Sequence, residues 1–256
     1  MSQETSCHRS LSSITEPKLW RNTGEYESGA ANWREIRETV LKRNNYTCQE
    51  CGFVCTSHQE VHHINGDHTD NRLENLETLC TYCHGTQHIG FTGQMKRGVL
   101  IWLPELSRSE LINICRWMMC SPYFKESYMS VNVPNPDMQF NQAAIAGRME
   151  GRKNPLVSFF EQRIRKAASI FQTTELVDIA TAMRVLEGEA AQKMYDELSQ
   201  CHIYPLLENY PDAVLKAWSQ TLNQAVINRQ MEEKYLGFLS KDSKVMSAIG
   251  FSQGYR

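Results

Sequence analysis

No stretch of this 256-residue chain approaches the roughly 20 consecutive apolar residues that a bilayer-crossing helix needs. Membrane insertion is therefore not expected. The opening residues, MSQETSCHRSLSSITEP, lack the apolar core of a secretory signal, and a cytoplasmic location follows as the expectation. An excess of one charge is missing too. The 27 basic and 29 acidic residues leave a net charge of −2, which argues against a protein that coats nucleic acid non-specifically. It leaves room for a small site built from a metal and a few arginines. Internal repeats and low-complexity segments are absent as well.

What is present in quantity is cysteine. Nine cysteines are many for a chain expected in a reducing compartment, and four of them fall in two Cys-x-x-Cys pairs, Cys48/Cys51 and Cys80/Cys83. Such pairs favour metal binding over disulfides. Each can present two thiolates from one tight turn, and two such turns complete a tetrahedral zinc site. Zinc there is expected to act as a folding staple, because binding at such sites contributes about 10–16 kcal/mol. Gly52 and Phe53 suit the first turn. The spacing between the pairs is longer than in a plain zinc ribbon, so something is inserted between them. Cys55 is expected to be a free, partly buried thiol.

Three zones are expected along the chain: a polar leader over residues 1–31, a cysteine/histidine unit over 32–105, and a helical region over 106–256. A short strand is possible near Lys18–Trp20. The stretch Asn32–Asn44 reads as an amphipathic helix capped by Asn32, with Trp33, Ile36, Val40 and Leu41 on one stripe. Gln59–Ile64 reads as a strand ended by the turn signal Asn65-Gly66-Asp67. Leu76–Cys80 returns toward the thiols, and a helix beginning near Cys83 carries His84 and His88. Gly98–Leu103 is a β-prone run stopped by Pro104. Ser107 and Glu110 form a capping-box pattern ahead of a further helix. A long loop is expected over 121–154, then helices at about 155–171, 174–199 and 211–236.

The insert carries the histidines. His84 and His88, four apart, share a helix face and can ligate one metal. His62 adds a third imidazole from the strand. Three protein ligands leave positions open for water or a phosphate oxygen, as in catalytic metal sites. His63 is then placed to act as a general base. Neighbouring strand residues point to opposite faces, so a distorted strand end is expected if both are to serve one site. His68 and Asp70 read as loop residues.

Val61-His62-His63-Ile64, followed by Asn75-Leu76-x-x-Leu79-Cys80-x-x-Cys83-His84-x3-His88, resembles the HNH endonuclease family, as does the lead-in Trp33-x3-Arg37-x2-Val40-Leu41-x-Arg43. The resemblance implies a ββα-metal fold. It implies His62, His84 and His88 as ligands of a catalytic metal, and His63 as the general base. Asn75 becomes the central asparagine that pins the loop and orients the base. The four cysteines match the structural zinc of many members. The implied reaction is hydrolysis of DNA phosphodiester bonds. An imidazole-rich site favours Zn2+, Ni2+ or Mn2+ over Mg2+ as the second divalent ion. Arg72, Lys96 and Arg97 are candidates to hold flanking phosphates.

A second resemblance reaches further along the chain. Asn45-Tyr46-Thr47-Cys48-Gln49-x-Cys51-Gly52-Phe53, Gln59-Glu60-Val61, Gly98-x-Leu100-Ile101-x-Leu103-Pro104-Glu105 and Glu110-Leu111-x3-Cys115 are similar to the IcmJ (DotN) component of type IVB secretion systems. That resemblance implies a zinc-stabilised adaptor subunit of a coupling ATPase complex. The helical region adds a modest basic cluster, Arg148, Arg152, Lys153, Arg163, Arg165 and Lys166, and aromatics suited to a core or to partner docking. The expected fold class is α+β: a ββα-metal unit with four-cysteine zinc knuckles, followed by a mostly α-helical C-terminal region.

Overall fold

The computed structural model describes residues 32–120, 155–206 and 209–227. The leader, the loop expected over 121–154 and the chain after residue 227 lie outside the described residues, and with them Arg148, Arg152 and Lys153. Among the described residues are eight helices and four short strands, the latter forming two two-stranded antiparallel sheets. The α+β class therefore holds.

Helix α1 (Trp33–Arg43) buries Val40 and Leu41, the inner part of the expected stripe. Asn32 stands at its N-cap, but its side chain makes no capping bond. The φ of −114° and ψ of 21° there depart from the extended backbone that lets a cap side chain reach back. The backbone carbonyl of Asn32 instead accepts from the amides of Glu35 and Ile36. Strands β1 (Gln59–His63) and β2 (Leu76–Cys80) pair in unbroken register, with His62 opposite Glu77 and His63 opposite Leu76. Arg37 and Arg43 of α1 hold this sheet by donating to the carbonyls of Gln59 and of Leu73 and Leu76.

Helix α2 (Thr81–Gln87) follows β2 directly, and α3 (Ile89–Gln94) follows α2 after a break at His88. The expected single helix through His84 and His88 thus ends one residue early. The amide of His88 bonds to the carbonyl of Gly85, and the Thr92 hydroxyl also donates to that carbonyl at 2.6 Å. The chain turns at φ −126° and ψ 62°.

Strand β3 (Gly98–Trp102) pairs antiparallel with β4 (Cys201–Pro205). No strand is expected at 201–205 from the sequence, since five residues holding a histidine and a proline give little pattern. Helix α4 (Arg108–Cys120) opens with the expected capping box. The Ser107 hydroxyl accepts from the Glu110 amide, and the Glu110 carboxylate accepts from the Ser107 amide at 2.7 Å. Helix α5 spans Pro155–Phe171. The helix expected over 174–199 is two: α6 (Leu176–Val185) and α7 (Gly188–Leu198). Gly188 takes a positive φ of +60° at the break, a conformation glycine adopts without steric cost. Helix α8 (Asp212–Ile227) closes the described chain.

Two apolar cores result. The first joins the cysteine pairs and Phe53 to Leu111 and Ile112 of α4, Phe160 of α5 and Trp218 of α8. The second joins Ile89 to Leu100 of β3 and to residues of α5, α6, α7 and β4. Both contain residues from either side of position 105/106.

Candidate metal centres

The first centre is built by two turns. Between Cys48 and Phe53 the amide of Gly52 donates to the Cys48 carbonyl and that of Cys48 to the Phe53 carbonyl, each at 2.9 Å. Gly52 has a φ of +72°, which a side chain would resist. The second turn is the start of α2, where Cys80 is the N-cap and its sulfur accepts from the Cys83 amide. All four sulfurs lie within 4.8 Å of one another, and all four side chains are buried. The Cys51 and Cys80 sulfurs are 3.9 Å apart. A tetrahedron with zinc–sulfur bonds of about 2.3 Å has an edge of about 3.8 Å, so the donor set fits zinc without rearrangement.

Electrostatics point the same way. Burial, with hydrogen bonds from its neighbours, pushes the Cys48 thiol far up, and burial does the same to Cys83. At Cys51 burial also acts upward, but hydrogen bonds from Cys48, Cys80 and Cys83 and the charge of Arg116 outweigh it and hold that thiol well below its usual range. Burial thus opposes the thiolate at Cys48 and Cys83, whereas a bound dication favours it. Arg116, 1% exposed, donates from one guanidinium nitrogen to Cys51 at 3.3 Å and to Cys80 at 3.2 Å. Its plane lies over the Phe53 ring at 4.0 Å.

The second centre gathers His62, His84 and His88, whose ring nitrogens lie within 4.8 Å of one another. Alternation along β1 puts Glu60 and His62 on one face, toward α2. The Glu60 carboxylate pairs with Nδ1 of His84. A carboxylate there keeps the proton on Nδ1 and leaves Nε2 as the lone-pair nitrogen. Burial acts to raise the Glu60 carboxyl, but the charge and hydrogen bond of His84 hold it below its usual range, with Thr81 and Arg97 assisting. Nε2 of His84 faces Nε2 of His88 at 3.2 Å, close to the edge of about 3.4 Å implied by metal–nitrogen bonds near 2.1 Å. Burial first, then the neighbouring histidines, lower His88 to about 2, so it stands neutral, as a ligand must. The break at His88 does not separate the pair. The residues present fit a divalent metal.

His63 lies on the opposite face of β1, and the strand reaches it undistorted. Its Nε2 is 3.0 Å from the side-chain oxygen of Asn71, and its ring stacks on Trp33 with centroids 5.7 Å apart. The loop from Ile64 to Arg72 brings the two faces together. It carries His68, whose ring centroid is 5.0 Å from that of His63 and 6.2 Å from that of His88. Asn75 pins this loop. Its amide nitrogen donates to the Asn65 side chain and the Asp70 carbonyl, and its oxygen accepts from the Asn65 amide. The side chain at hydrogen-bond distance of His63 is Asn71, which an extended polar loop does not advertise in sequence.

Arg72 is exposed and held by Asp70 through two hydrogen bonds, which keep that carboxyl well below the usual range. Lys96 is exposed in a turn at φ +50°. Arg97 is half-buried, with a buried Nε that meets no hydrogen-bond partner. Cys55 is buried outside the thiol cluster, 3.7 Å from the Thr221 hydroxyl. Glu60, Asn71 and Arg116 are given no site role by the sequence reading, and Trp33 enters it only as a stripe and lead-in residue. Glu60 left a further signal, its two-residue spacing from His62.

The sequence matches no family model. It is 36% identical over 97 residues to the protein named "Putative HNH nuclease YajD" from Escherichia coli K12, covering 36% of this chain and 79% of that one. It is 33% identical over 114 residues to the type 4 apparatus protein DotN of Legionella pneumophila, covering 43% of this chain and 52% of DotN. Over 59 residues it is 41% identical to the Zorya protein ZorE of Escherichia coli ATCC 8739, 22% of this chain and 16% of ZorE. The chain thus spans about half the length of DotN and a small part of ZorE. Among the described residues no helix is long and apolar enough to cross a membrane.

Proposed function

The chain belongs to the HNH nuclease family represented by YajD, and from that premise we propose that it is a metal-dependent endonuclease that hydrolyses DNA phosphodiester bonds. The observation that carries this reading is the convergence of His62, His84 and His88 beside a fourth histidine, His63, held in a fixed orientation. His62, His84 and His88 would hold a divalent metal; Cys48, Cys51, Cys80 and Cys83 would hold a structural zinc. When bound, the catalytic metal supplies charge stabilisation for the phosphorane-like transition state and the departing oxygen.

The chain's own residues supply the rest. The Asn71 side-chain oxygen can only accept, so Nε2 of His63 carries the proton at that contact. Nδ1 of His63 is then the lone-pair nitrogen and takes the proton from the attacking water. Stacking on Trp33 restrains the ring, and Asn75 fixes the loop that presents Asn71 and His68. Arg97 and Lys96 are the cations placed after α3 for neighbouring phosphates; Arg72 joins them only by leaving Asp70. The region 32–105 would hold both metal centres and 106–256 would be an accessory region, whose described helices α4, α5 and α8 share its core.

Plasmid cleavage is the test. With added Zn2+, Ni2+, Mn2+ or Mg2+, the full chain is expected to nick or linearise plasmid DNA. His63→Ala is expected to lower the rate by about 10²–10⁴-fold, the usual share of a general base, with the Cys-bound zinc and the fold retained. A wild-type chain inert with all four metals on single- and double-stranded DNA removes the reading.

The match to DotN favours one alternative, a zinc-stabilised adaptor subunit of a type IVB secretion or conjugation coupling complex. Purification of the tagged chain from its own cells distinguishes the two. Recovery of a coupling ATPase with an inactive His site supports the adaptor, and recovery of no such component sinks it.

A further inference from the structure

We propose that Arg116 is the counter-charge of the four-cysteine centre, and that it makes docking of helices α4 and α8 onto the knuckles conditional on bound zinc. The inference rests on zinc at the cysteines and not on nuclease activity.

Four thiolates around a dication leave a double negative charge in a buried site. A centre of that kind needs a nearby cation or several N–H donors to be stable away from water. Arg116 is the cation the structure supplies. It comes from α4, outside the knuckles in sequence, and one of its nitrogens reaches Cys51 and Cys80, one sulfur from each pair. The other nitrogen is fixed by Asn113 at 2.6 Å, and Asn113 itself reaches toward the Cys51 carbonyl. The guanidinium lies over Phe53 of the knuckle and Trp218 of α8, at 4.0 and 5.1 Å from their ring centroids. Phe53 and Trp218 also meet edge to face. One side chain thus touches both cysteine pairs, the knuckle aromatic and the C-terminal helix.

The dependence runs in both directions. With zinc bound, the arginine is matched by thiolates. Without it, nothing ties the four sulfurs together, and the two acceptor sulfurs and the Phe53 face that seat the guanidinium lose their fixed positions, which favours separation of α4 and α8 from the knuckles. Without Arg116, the zinc–thiolate charge is uncompensated and the metal is held less tightly. Arg116→Lys keeps the charge but not the planar fork.

The test uses the full chain, its zinc content first measured to establish one tightly bound zinc. Chelator competition is expected to show Arg116→Met losing about 10–100-fold in zinc affinity, the range for partners outside the ligand shell, with Arg116→Lys recovering part of it. An affinity for Arg116→Met within twofold of wild type overturns the proposal, whatever its stability. Should that variant not fold, hydrogen exchange on the wild type decides. Zinc removal is expected to strip protection from the knuckles, α4 and α8 while α6 and α7, in the other core, keep theirs. Protection of α8 that survives zinc removal, or that is lost to the same degree as in α6 and α7, overturns it.

Discussion

Glu60 shows how much one residue decides at these sites. Its carboxylate pairs with Nδ1 of His84, and that hold leaves Nε2 of His84 facing His88. Glu60→Gln keeps the shape but turns the residue into a neutral partner. Metal titration of this variant is expected to show about 10–100-fold weaker binding at the histidines, with the cysteine zinc unchanged; equal loss at both centres would mean a general folding defect. His202 on β4 makes a different prediction. Burial lowers it below its usual range, and its Nε2 meets the Leu106 carbonyl at 2.8 Å. The folded chain therefore resists protonation that the unfolded chain accepts near pH 6.5. Its contribution is complete above that pH and is lost as the pH falls below it. Thermal melts from pH 7.5 to 5 are expected to drop more steeply for wild type than for His202→Gln, which keeps a donor but does not titrate. Parallel curves would remove His202 as a source of the acid sensitivity.

At the scale of elements, much of the site was legible from spacing. Two thiols separated by two residues must share a turn, and histidines four apart must share a face, so both ligand sets follow from local geometry. The α2–α3 break at His88 was not legible, because it depends on Thr92 reaching back to the Gly85 carbonyl. Nor was the division of α6 from α7, since Leu186-Glu187-Gly188 carries only one residue that argues against a continuing helix. The distorted strand end expected at His62–His63 is not found: β1 pairs in register through His63, and it is His68 of the following loop that lies near both His63 and His88. Arg116 and β4 act across long separations that no window of sequence contains. Packing between α3 and α6 yields a further prediction. A Cβ at Gly93 would lie 2.7 Å from the Val177 backbone nitrogen, an atom that cannot move aside cheaply. Gly93→Ala is expected to cost about 1–3 kcal/mol in chemical denaturation, despite alanine's better helix propensity; a stabilised variant would show that α6 is free to shift.

For the whole molecule, the ββα unit shares its core with the described residues beyond it. Its cysteines and Phe53 share one core with Leu111, Phe160 and Trp218. The Tyr82 hydroxyl on α2 donates to the Ile203 carbonyl of β4, and β3 finds its pairing partner in the same strand. A fragment ending at residue 105 would expose that core face. Such a fragment is expected to bind zinc yet to bind a hydrophobic dye and melt without a cooperative transition. A sharp two-state melt near that of the full chain would show that the unit folds alone. The near-balanced charge gives the surface little general attraction for DNA, so binding through the few cations at the site is expected to have a shallow salt dependence, set by the small number of phosphates contacted.

Cys83 and His84 are consecutive residues, and they belong to two different ligand sets. One peptide bond is all that separates the four-cysteine cluster from the three-histidine cluster. An insertion or deletion of a single residue between Cys80 and His88 rotates the following side chains by about 100° and misplaces ligands of one centre or both. A lineage descending from such a chain therefore has a narrow route to change. It can exchange the histidines one at a time and keep the thiol scaffold, but it cannot lengthen or shorten this helix. The reading frame of α2 is in this sense a record: its length preserves the scaffold even in a descendant that has lost the histidines.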